Sequence, residues 1–351
     1  LTQLGNPNIT WETSTEFNVG IDLGLFNNRL NLTVDYFNRE ISDLLNWRPL
    51  QHINEVLSIA DNMGKTRSHG LEVTLNTTNI QTKNFSWTSD FTYSFYRDRW
   101  EERAEGWSPA AYDRYKGAVR PVYGYYVADG LVQPGEEVPW MPNALPGQIK
   151  VKDNNGYIYN EDGTFKTDEH GLPILSGEPD GKINDADRVY IGSRDPGFIV
   201  GLNNSLRYKN LDFNIYFYGH FNQWTSGSYY DLWLGSISTI DNGRSAPISA
   251  SEIWSTDNPN GWRPGYAQMY NTYDAGATTF YLKKCWFVRC RNISIGYTVP
   301  VKKGIQRMRI YADVNNPFMF SNYKGLDMET DDSAWAVPNV RSFNFGVELT
   351  F

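Results

Sequence analysis

One segment of the sequence places oxygen-bearing side chains at the spacing of a calcium-binding loop. It reads SGEPDGKINDADR and spans residues 176–188. Loops of the D-x-[DN]-x-[DN]-G type bind calcium through spaced oxygen atoms around a glycine that makes the turn, which here is Gly181. The ligand positions hold Glu178, Asp180, Lys182 (through its carbonyl), Asn184 and Asp187. We therefore predict a candidate calcium site, with calcium as the one cofactor that the sequence suggests.

The match to a calcium loop is incomplete at two positions. Ser176 stands where the first ligand belongs and is a poor ligand. Asp187 is shorter than the glutamate that usually binds calcium with both oxygens. Because Asp and Asn side chains also stabilise turns by accepting hydrogen bonds from backbone N–H groups, a metal-free acidic loop is the alternative.

Elsewhere the sequence offers no catalytic constellation. It contains no phosphate-binding loop, nucleophile elbow or zinc pattern. The histidines have no pairing spacing: His52, His69, His170 and His220. Four carboxylates alternate with apolar residues and are predicted to be solvated wall groups of strands: Asp22, Asp35, Asp90 and Glu348. The sequence thus predicts a protein that is not an enzyme.

Composition narrows the class of protein. The 351 residues include 12 Trp and 23 Tyr, and aromatic residues make up 15% of the chain. Mean hydropathy is −0.53, and no apolar run approaches the ~18–20 residues that a membrane helix needs. This excludes a helical membrane protein but not a transmembrane β-barrel, whose strands alternate. The net charge of −8 without a basic stripe argues against nucleic acid as a partner.

Alternation of apolar and polar residues is the dominant pattern of the chain. In SFNFGVELTF, residues 342–351, every second residue is apolar, which is the period of a β-strand with one apolar face. Comparable runs predict nine strands, at 17–25, 30–36, 71–75, 85–95, 198–208, 211–217, 293–297, 308–314 and 342–351. We therefore expect an all-β, antiparallel fold.

The connections between these strands are sorted by length. Short connections join the strands of each pair, whereas long ones join the pairs, at 39–66, 97–196, 219–284 and 315–340. Short turns on one side and long loops on the other are typical of outer-membrane barrels, with the turns periplasmic and the loops extracellular. A soluble, secreted β-rich glycan-binding module is the rival reading.

Nine strands are too few for the usual even-numbered barrel, and lipid does not tolerate two open sheet edges. We therefore expect the missing strands to come from an N-terminal remainder or a second polypeptide. The chain begins at Leu1, without an initiator methionine or an apolar leader, so we expect a piece of a longer protein or a processed product. A split chain and a nick in an exposed loop both fit.

Aromatic side chains are concentrated in the predicted extracellular segments. Five of them are predicted to contact a ligand or a covering partner: Trp100, Tyr125, Trp140, Trp224 and Trp233. Aromatic rings in loops stack on sugar rings, but they also pack loops into an ordered cap. Both roles stay open at this point.

Several stretches resemble the SusC/RagA family of TonB-dependent transporters of the Bacteroidota. The longest is NPNITWETSTEFNVGIDLGLFNNRLNLTVDYFNREISDLL, residues 6–45. NMGKTRSHGLEVTLN, RNISIGYTVP, IYADVNNPFMFSNYKGLDME and the terminal strand resemble the family as well. The segments occur in the family's order, so residues 1–351 resemble the C-terminal part of its barrel, with the plug domain and first strands absent.

The resemblance implies fold, function and partners. The family barrel has about 22 strands, of which this chain would supply the last nine. It implies active import of oligosaccharides, or alternatively peptides, across the outer membrane with a SusD-like surface lipoprotein, the N-terminal remainder, TonB and outer-membrane lipid as partners. Phe351 would be the C-terminal signal for barrel assembly. A passive, porin-like barrel is the alternative.

The same resemblance bears on the acidic loop, because in the family this loop often reads D-x-N-G-D-G without interruption. Here DNNG, residues 153–156, is separated from PDGKIND by an insertion. We therefore expect Asp153 and Asn155 to return to the loop that holds Gly181.

Overall fold

A computed structural model describes residues 5–50, 56–104, 106–225, 248–300, 304–325, 327–330 and 337–351. Within these ranges the protein consists of strands, turns and short 3-10 segments, the latter at Asp185–Asp187, Ala250–Glu252, Tyr266–Tyr270 and Met328–Thr330. No helix in these ranges has the length and apolar character needed to cross a membrane.

Nine long strands form one antiparallel sheet. They are β1 (Thr13–Leu25), β2 (Leu30–Ser42), β5 (Lys65–Gln81), β6 (Phe85–Glu102), β11 (Phe198–Tyr208), β12 (Leu211–Thr225), β13 (Lys283–Val299), β14 (Arg307–Ser321) and β15 (Ser342–Thr350). Each strand pairs with the next one in this series, so the sheet follows the order of the chain. All nine predicted strands and the all-β, antiparallel fold are thereby confirmed.

The tight turns all lie at one end of the sheet, here called the turn end. Between β1 and β2, the non-glycine residues Phe26, Asn27 and Asn28 have φ values of 54°, 57° and 59°. This left-handed conformation is several-fold commoner for asparagine than for other non-glycine residues, which explains the predicted Asn-rich turn. Lys209, with φ of 52°, makes the equivalent turn between β11 and β12.

The long connections lie at the opposite, loop end, and the first two of them contain smaller sheets. β3 (Leu45–Pro49) pairs with β4 (Ser58–Asn62), β7 (Pro121–Tyr126) pairs with β10 (Arg188–Ser193), and β8 (Ala128–Leu131) pairs with β9 (Ile149–Val151). Hydrogen bonds from Gln148 to the carbonyl of Ala267 and from the N–H of Ile149 to Gln268 join the two longest connections. We call their described residues 106–187 and 248–282 the loop cap.

The loop cap contains a hydrophobic core of its own. Its buried members are Tyr126, Val132, Val138, Met141, Ile149 and Val151. By contrast, many large apolar side chains of the nine-stranded sheet are exposed, such as Phe345 at 80%. An ordinary soluble sheet would bury such a face, so this sheet requires another apolar environment.

Each edge of the nine-stranded sheet has an unpaired side in the described part of the chain. β1 pairs with β2 and β15 pairs with β14, and neither has a second neighbour there. The described residues therefore form an open wall and not a closed barrel.

Candidate functional site

The outer face of the wall is a continuous apolar surface. Because side chains of directly paired residues point to the same side of a sheet, register shows which residues share a face. Leu23 pairs with Leu32, which pairs with Leu75, so these three side chains lie on one face of the sheet. Similar rows of paired apolar residues continue across the sheet to β15. On β15, Phe343, Phe345 and Val347 are 60%, 80% and 57% exposed on this face. Such a surface matches the hydrocarbon of a membrane.

The inner face of the wall is polar and hydrogen-bonded. Thr33 donates to Asp22 at 2.6 Å, and Asn76 donates to Asp90 at 2.9 Å. Asn203 donates to the other oxygen of Asp90 at 3.2 Å. Two of the four predicted wall carboxylates, Asp22 and Asp90, therefore take part in cross-strand hydrogen bonds with neutral polar side chains, as expected for the lining of a polar lumen.

A buried ion-pair cluster fastens the connection between β14 and β15 to the inner face. Arg289 on β13 and Asp327 in the connection are only 4% and 2% exposed, and the arginine Nη2 donates to Oδ1 of the aspartate at 2.6 Å. Oδ2 of Asp327 accepts from the backbone and side chain of Asn339 at 3.0 and 3.1 Å. Glu329 contacts both Arg289 and Tyr218. The cluster places this loop against the inside of the wall.

Ion pairs also order the loop cap. Lys150 lies 2.7 Å from Glu136 and 3.6 Å from Asp129. Its hydrogen bond holds the pKa of Glu136 below the usual value. Burial raises the pKa of Tyr157 to about 12, so this hydroxyl stays protonated at neutral pH.

Three of the five aromatic residues predicted to contact a ligand or partner have different surroundings in the structure. Tyr125 is 8% exposed, and the Trp140 indole donates to the carbonyl of Val151 at 2.8 Å beside the cap core. Trp100 lies under the guanidinium of Arg103, whose carbon is 4.9 Å from the ring centre. Burial thus gives Tyr125 and Trp140 a packing role in the cap, and ligand contact by these residues stays a prediction.

The same prediction also names Trp224 and Trp233. Trp224 pairs in register with Lys284 at the loop end of β12. Trp233 lies outside the described residues, so its predicted contact stays a prediction.

The acidic loop is assembled much as the sequence predicted. Asp153 returns to it, and its carboxylate accepts the N–H groups of Asp180 and Gly181 at 3.2 and 2.7 Å. Asn184 caps the 3-10 segment by accepting the N–H of Ala186 at 2.8 Å. The predicted chain geometry around Gly181 is therefore present.

The carboxylates of this loop are nevertheless used as backbone acceptors. Asp187 is fully buried, and it accepts the N–H groups of Asn154, Asn155 and Asn184 at 2.7, 3.1 and 2.9 Å. Asp180 accepts the N–H of Lys182, and Glu178 is exposed. Across the described ranges, no three His, Cys, Asp or Glu side chains stand close enough to hold a metal. These residues therefore do not fit a ready calcium site, and calcium binding stays a prediction.

A set of exposed aromatic residues in the loop cap was not singled out from the sequence. Trp262, Tyr266 and Tyr270 are 39%, 52% and 69% exposed. Lys283 and Lys324 place their ammonium nitrogens 5.9 and 5.6 Å from the Trp262 ring centre. The sequence marks these rings only as loop aromatics, because the exposure of each depends on how the two cap segments pack.

Comparisons with known proteins show which family has this architecture. The family described as "TonB dependent receptor-like, beta-barrel" matches residues 2–316. TonB-dependent receptor P3 of Formosa agariphila is 29% identical, and the alignment covers 100% of this chain and 35% of that protein. TonB-dependent receptor SusC of Bacteroides thetaiotaomicron is 27% identical over 99% of this chain and 32% of its own length.

Solved structures show the same fold. The RagAB peptide transporter aligns with a TM-score of 0.70 at 20% identity, covering 100% of this chain and 37% of that one. Its "open-open" state aligns with a TM-score of 0.71 at 19% identity. The chain thus spans about a third of the length of its relatives, and its nine strands are part of a larger barrel. Because the family match covers most of the chain, the protein belongs to the TonB-dependent receptor-like β-barrel family of the outer membrane.

Proposed function

We propose that the protein imports oligosaccharides across the outer membrane by a TonB-dependent mechanism. In this proposal the chain supplies nine strands of the barrel wall and the extracellular loop cap. The observation that carries it is the two-sided wall, apolar outside and hydrogen-bonded polar inside, with a folded cap at its loop end. A transporter needs such a wall, and the relatives are named as receptors and transporters and not as enzymes.

Exposed rings in the loop cap favour oligosaccharide as the cargo. Trp262, Tyr266 and Tyr270 offer flat apolar faces together with a polar edge, which suits the C–H faces and hydroxyl groups of sugar rings. Peptide is the second cargo class, supported by the fold shared with a peptide transporter.

The proposed partners are those that would cover the loop cap, complete the barrel and surround its apolar face. A SusD-like lipoprotein would cover the loop cap and hold cargo against its exposed rings. The remaining two thirds of the relatives' length would supply the plug, the other strands and the contact with TonB. Outer-membrane lipid would surround the apolar face.

Uptake of a fluorescent oligosaccharide by cells that carry the full-length protein tests this function. We expect uptake to stop when TonB is deleted or the proton-motive force is collapsed. Uptake that continues under both conditions would favour a passive porin. A full-length protein that stays monomeric in water without detergent would favour the soluble glycan-binding module.

The role of the cap aromatics can be tested against a control residue on the wall. Tyr270→Ala should weaken oligosaccharide binding, whereas Tyr208→Ala should not, because Tyr208 is also exposed, at 54% against 69% for Tyr270, but lies at the turn end. Loss of one stacked ring costs about 1 kcal/mol, or a fivefold rise in Kd. Equal binding by both variants to oligosaccharide, with tight binding of a peptide mixture, would support peptide as the cargo.

A further inference from the structure

A polar pocket of about 210 Å³ opens at the loop end of the wall, between β6, β12 and β13. Its lining residues are Arg97, Ser193, Asp195, Gly197, Asn222, Trp224 and Lys284. Trp224 is one of the residues that the sequence predicts to contact a ligand. The proposed transport function gives this pocket no role.

Strand register places the ligand-binding side chains of this pocket on the outside of the barrel. Arg97 lies two residues after Phe95, whose partner Leu71 belongs to the apolar outer face, and its guanidinium carbon is 4.5 Å from the Phe95 ring centre. Lys284 lies two residues before Trp286, which is on the same face. Trp224 pairs directly with Lys284 and shares its side.

The pocket carries uncompensated positive charge. In the ranges that the structure describes, no carboxylate forms a salt bridge with Arg97 or Lys284. Arg97 is held rigid by the carbonyls of Pro196 and Gly197, at 3.1 and 3.3 Å. Lys284 lies 5.2 Å from the ring centre of Trp224.

One carboxylate also lines the pocket, and its charge is already balanced. Asp195 is 4% exposed and receives a hydrogen bond from Arg120 at 3.1 Å and one from the hydroxyl of Ser193 at 2.6 Å. The net charge available to a ligand is therefore that of Arg97 and Lys284. An anion is the ligand that this arrangement favours.

The depth of the pocket corresponds to the lipid headgroups. Directly below it, Tyr93, Phe198, Phe221 and Trp286 form a row of ring contacts with centroid distances of 5.7, 4.8 and 6.1 Å. Such aromatic rows mark the border between hydrocarbon and headgroups.

Charged residues beside the pocket mark the same border from above. An outward-facing ion pair at 2.8 Å joins Arg67 and Glu40. This pair lies one pleat above the level of Arg97. Ion pairs of this kind belong in the aqueous headgroup region and not in hydrocarbon. The pocket thus opens where the outer leaflet presents its phosphates.

We propose that this pocket binds the phosphate of an anionic lipid in the outer leaflet. Arg97 and Lys284 supply charge-assisted hydrogen bonds, and the aromatic row below contacts the acyl chains. Trp224 then serves as a wall of a lipid site, facing away from the transported cargo. This assignment depends on the outer-membrane location of the barrel and not on the cargo.

Native mass spectrometry of the full-length protein in detergent, with monophosphoryl lipid A as the probe, tests the proposal. The test variant is Arg97→Gln combined with Lys284→Gln. The control is Lys283→Gln, which removes the same charge one residue away on the opposite face of β13. We expect the double variant to bind the lipid about tenfold more weakly and the control to bind like the unchanged protein.

Two further measurements test separately whether the phosphate is required and whether the bound phosphate belongs to a lipid. Dephosphorylated lipid A should bind the unchanged protein as weakly as the double variant binds the phosphorylated lipid. Equal binding of both lipids, or of both proteins, overturns the proposal. Displacement of the lipid by millimolar inorganic phosphate alone would make this a free-phosphate site and also overturn it. Lys284→Gln, a change at an exposed side chain, repeats the test without risk to folding.

Discussion

At the residue scale, Asp187 shows how one carboxylate can organise a whole loop. Its two oxygens accept three backbone N–H groups from two distant stretches of chain, and its side chain is fully buried. In Asp187→Asn an NH₂ group would face N–H donors, so we expect a loss of about 1–3 kcal/mol of local stability. Limited proteolysis of the full-length protein should show faster cleavage in the loop cap. Glu178→Gln, at an exposed neighbour, should leave the cleavage rate unchanged.

Asp187→Asn also distinguishes a calcium-binding loop from a metal-free one. If calcium binds, calorimetric titration of the unchanged protein gives heat that Asp187→Asn removes, because the metal would need this carboxylate. If the loop is metal-free, neither protein gives heat and calcium raises the melting temperature of neither. The second result would remove the calcium hypothesis.

Asp327 leads to a prediction about pH. Burial alone raises the pKa of this carboxyl, but N–H groups of Asn339 and Glu329 and the charge of Arg289 outweigh it and bring the pKa below the usual 3.8. A carboxyl with a lowered folded pKa contributes stability that is complete above its unfolded pKa and is lost as pH falls through the folded one.

We therefore expect Asp327→Asn to cost about 3 kcal/mol between pH 5 and 8, because it leaves Arg289 with one partner fewer. Below about pH 4 the gap should begin to close, and it should be lost as pH falls through the lowered folded pKa of Asp327, since the aspartate then becomes protonated. Thermal unfolding in detergent at several pH values measures this gap. A gap that stays constant down to pH 2 would contradict the role of the ionised carboxylate. Burial raises the pKa of Glu329, the opposite direction to that of Asp327.

At the scale of elements, the amphipathic pattern predicts each wall strand but not its full length. The alternation at 71–75 marks a strand that extends over Lys65–Gln81. The additional residues include Lys65 and Arg67, which form ion pairs and continue the strand above the apolar band. Both faces of the strand are polar there, so apolar and polar residues no longer alternate. Local periodicity therefore detects the lipid-facing part of a strand and not the part that stands in water.

The two faces of β15 permit a matched test of the wall. Phe345 lies on the apolar outer face at 80% exposure, and Asn344 lies beside it on the inner face. Phe345→Arg should destabilise the barrel by about 2–4 kcal/mol if it lies near the midplane, whereas Asn344→Arg should cost little. Urea unfolding of the full-length barrel in lipid vesicles measures both. Equal effects would mean that the outer face does not meet lipid.

At the scale of the whole molecule, the sequence predicts the wall better than the cap. Wall strands follow chain order with short turns, so local pattern and register suffice. In the cap, β8 (Ala128–Leu131) and β9 (Ile149–Val151) are short strands separated by a long stretch, and the partly buried Trp140 packs against the cap core. Burial there depends on long-range packing, so the sequence does not show that Tyr125 is 8% exposed whereas Tyr270 is 69% exposed.

The open edges of the wall lead to the last prediction. β1 and β15 each present one row of unpaired backbone groups in the described part of the chain, and each unsatisfied group costs several kcal/mol in hydrocarbon. Residues 1–351 expressed alone should therefore fail to form a heat-modifiable, protease-resistant barrel. Joined to the polypeptide that supplies the other strands, the same residues should become protease-resistant in the outer membrane. Intact mass measurement of that complex would show whether one chain or two provide the strands. A stable barrel formed by residues 1–351 alone would mean that β1 and β15 pair with each other or with a second copy, and that the nine strands suffice to close a wall.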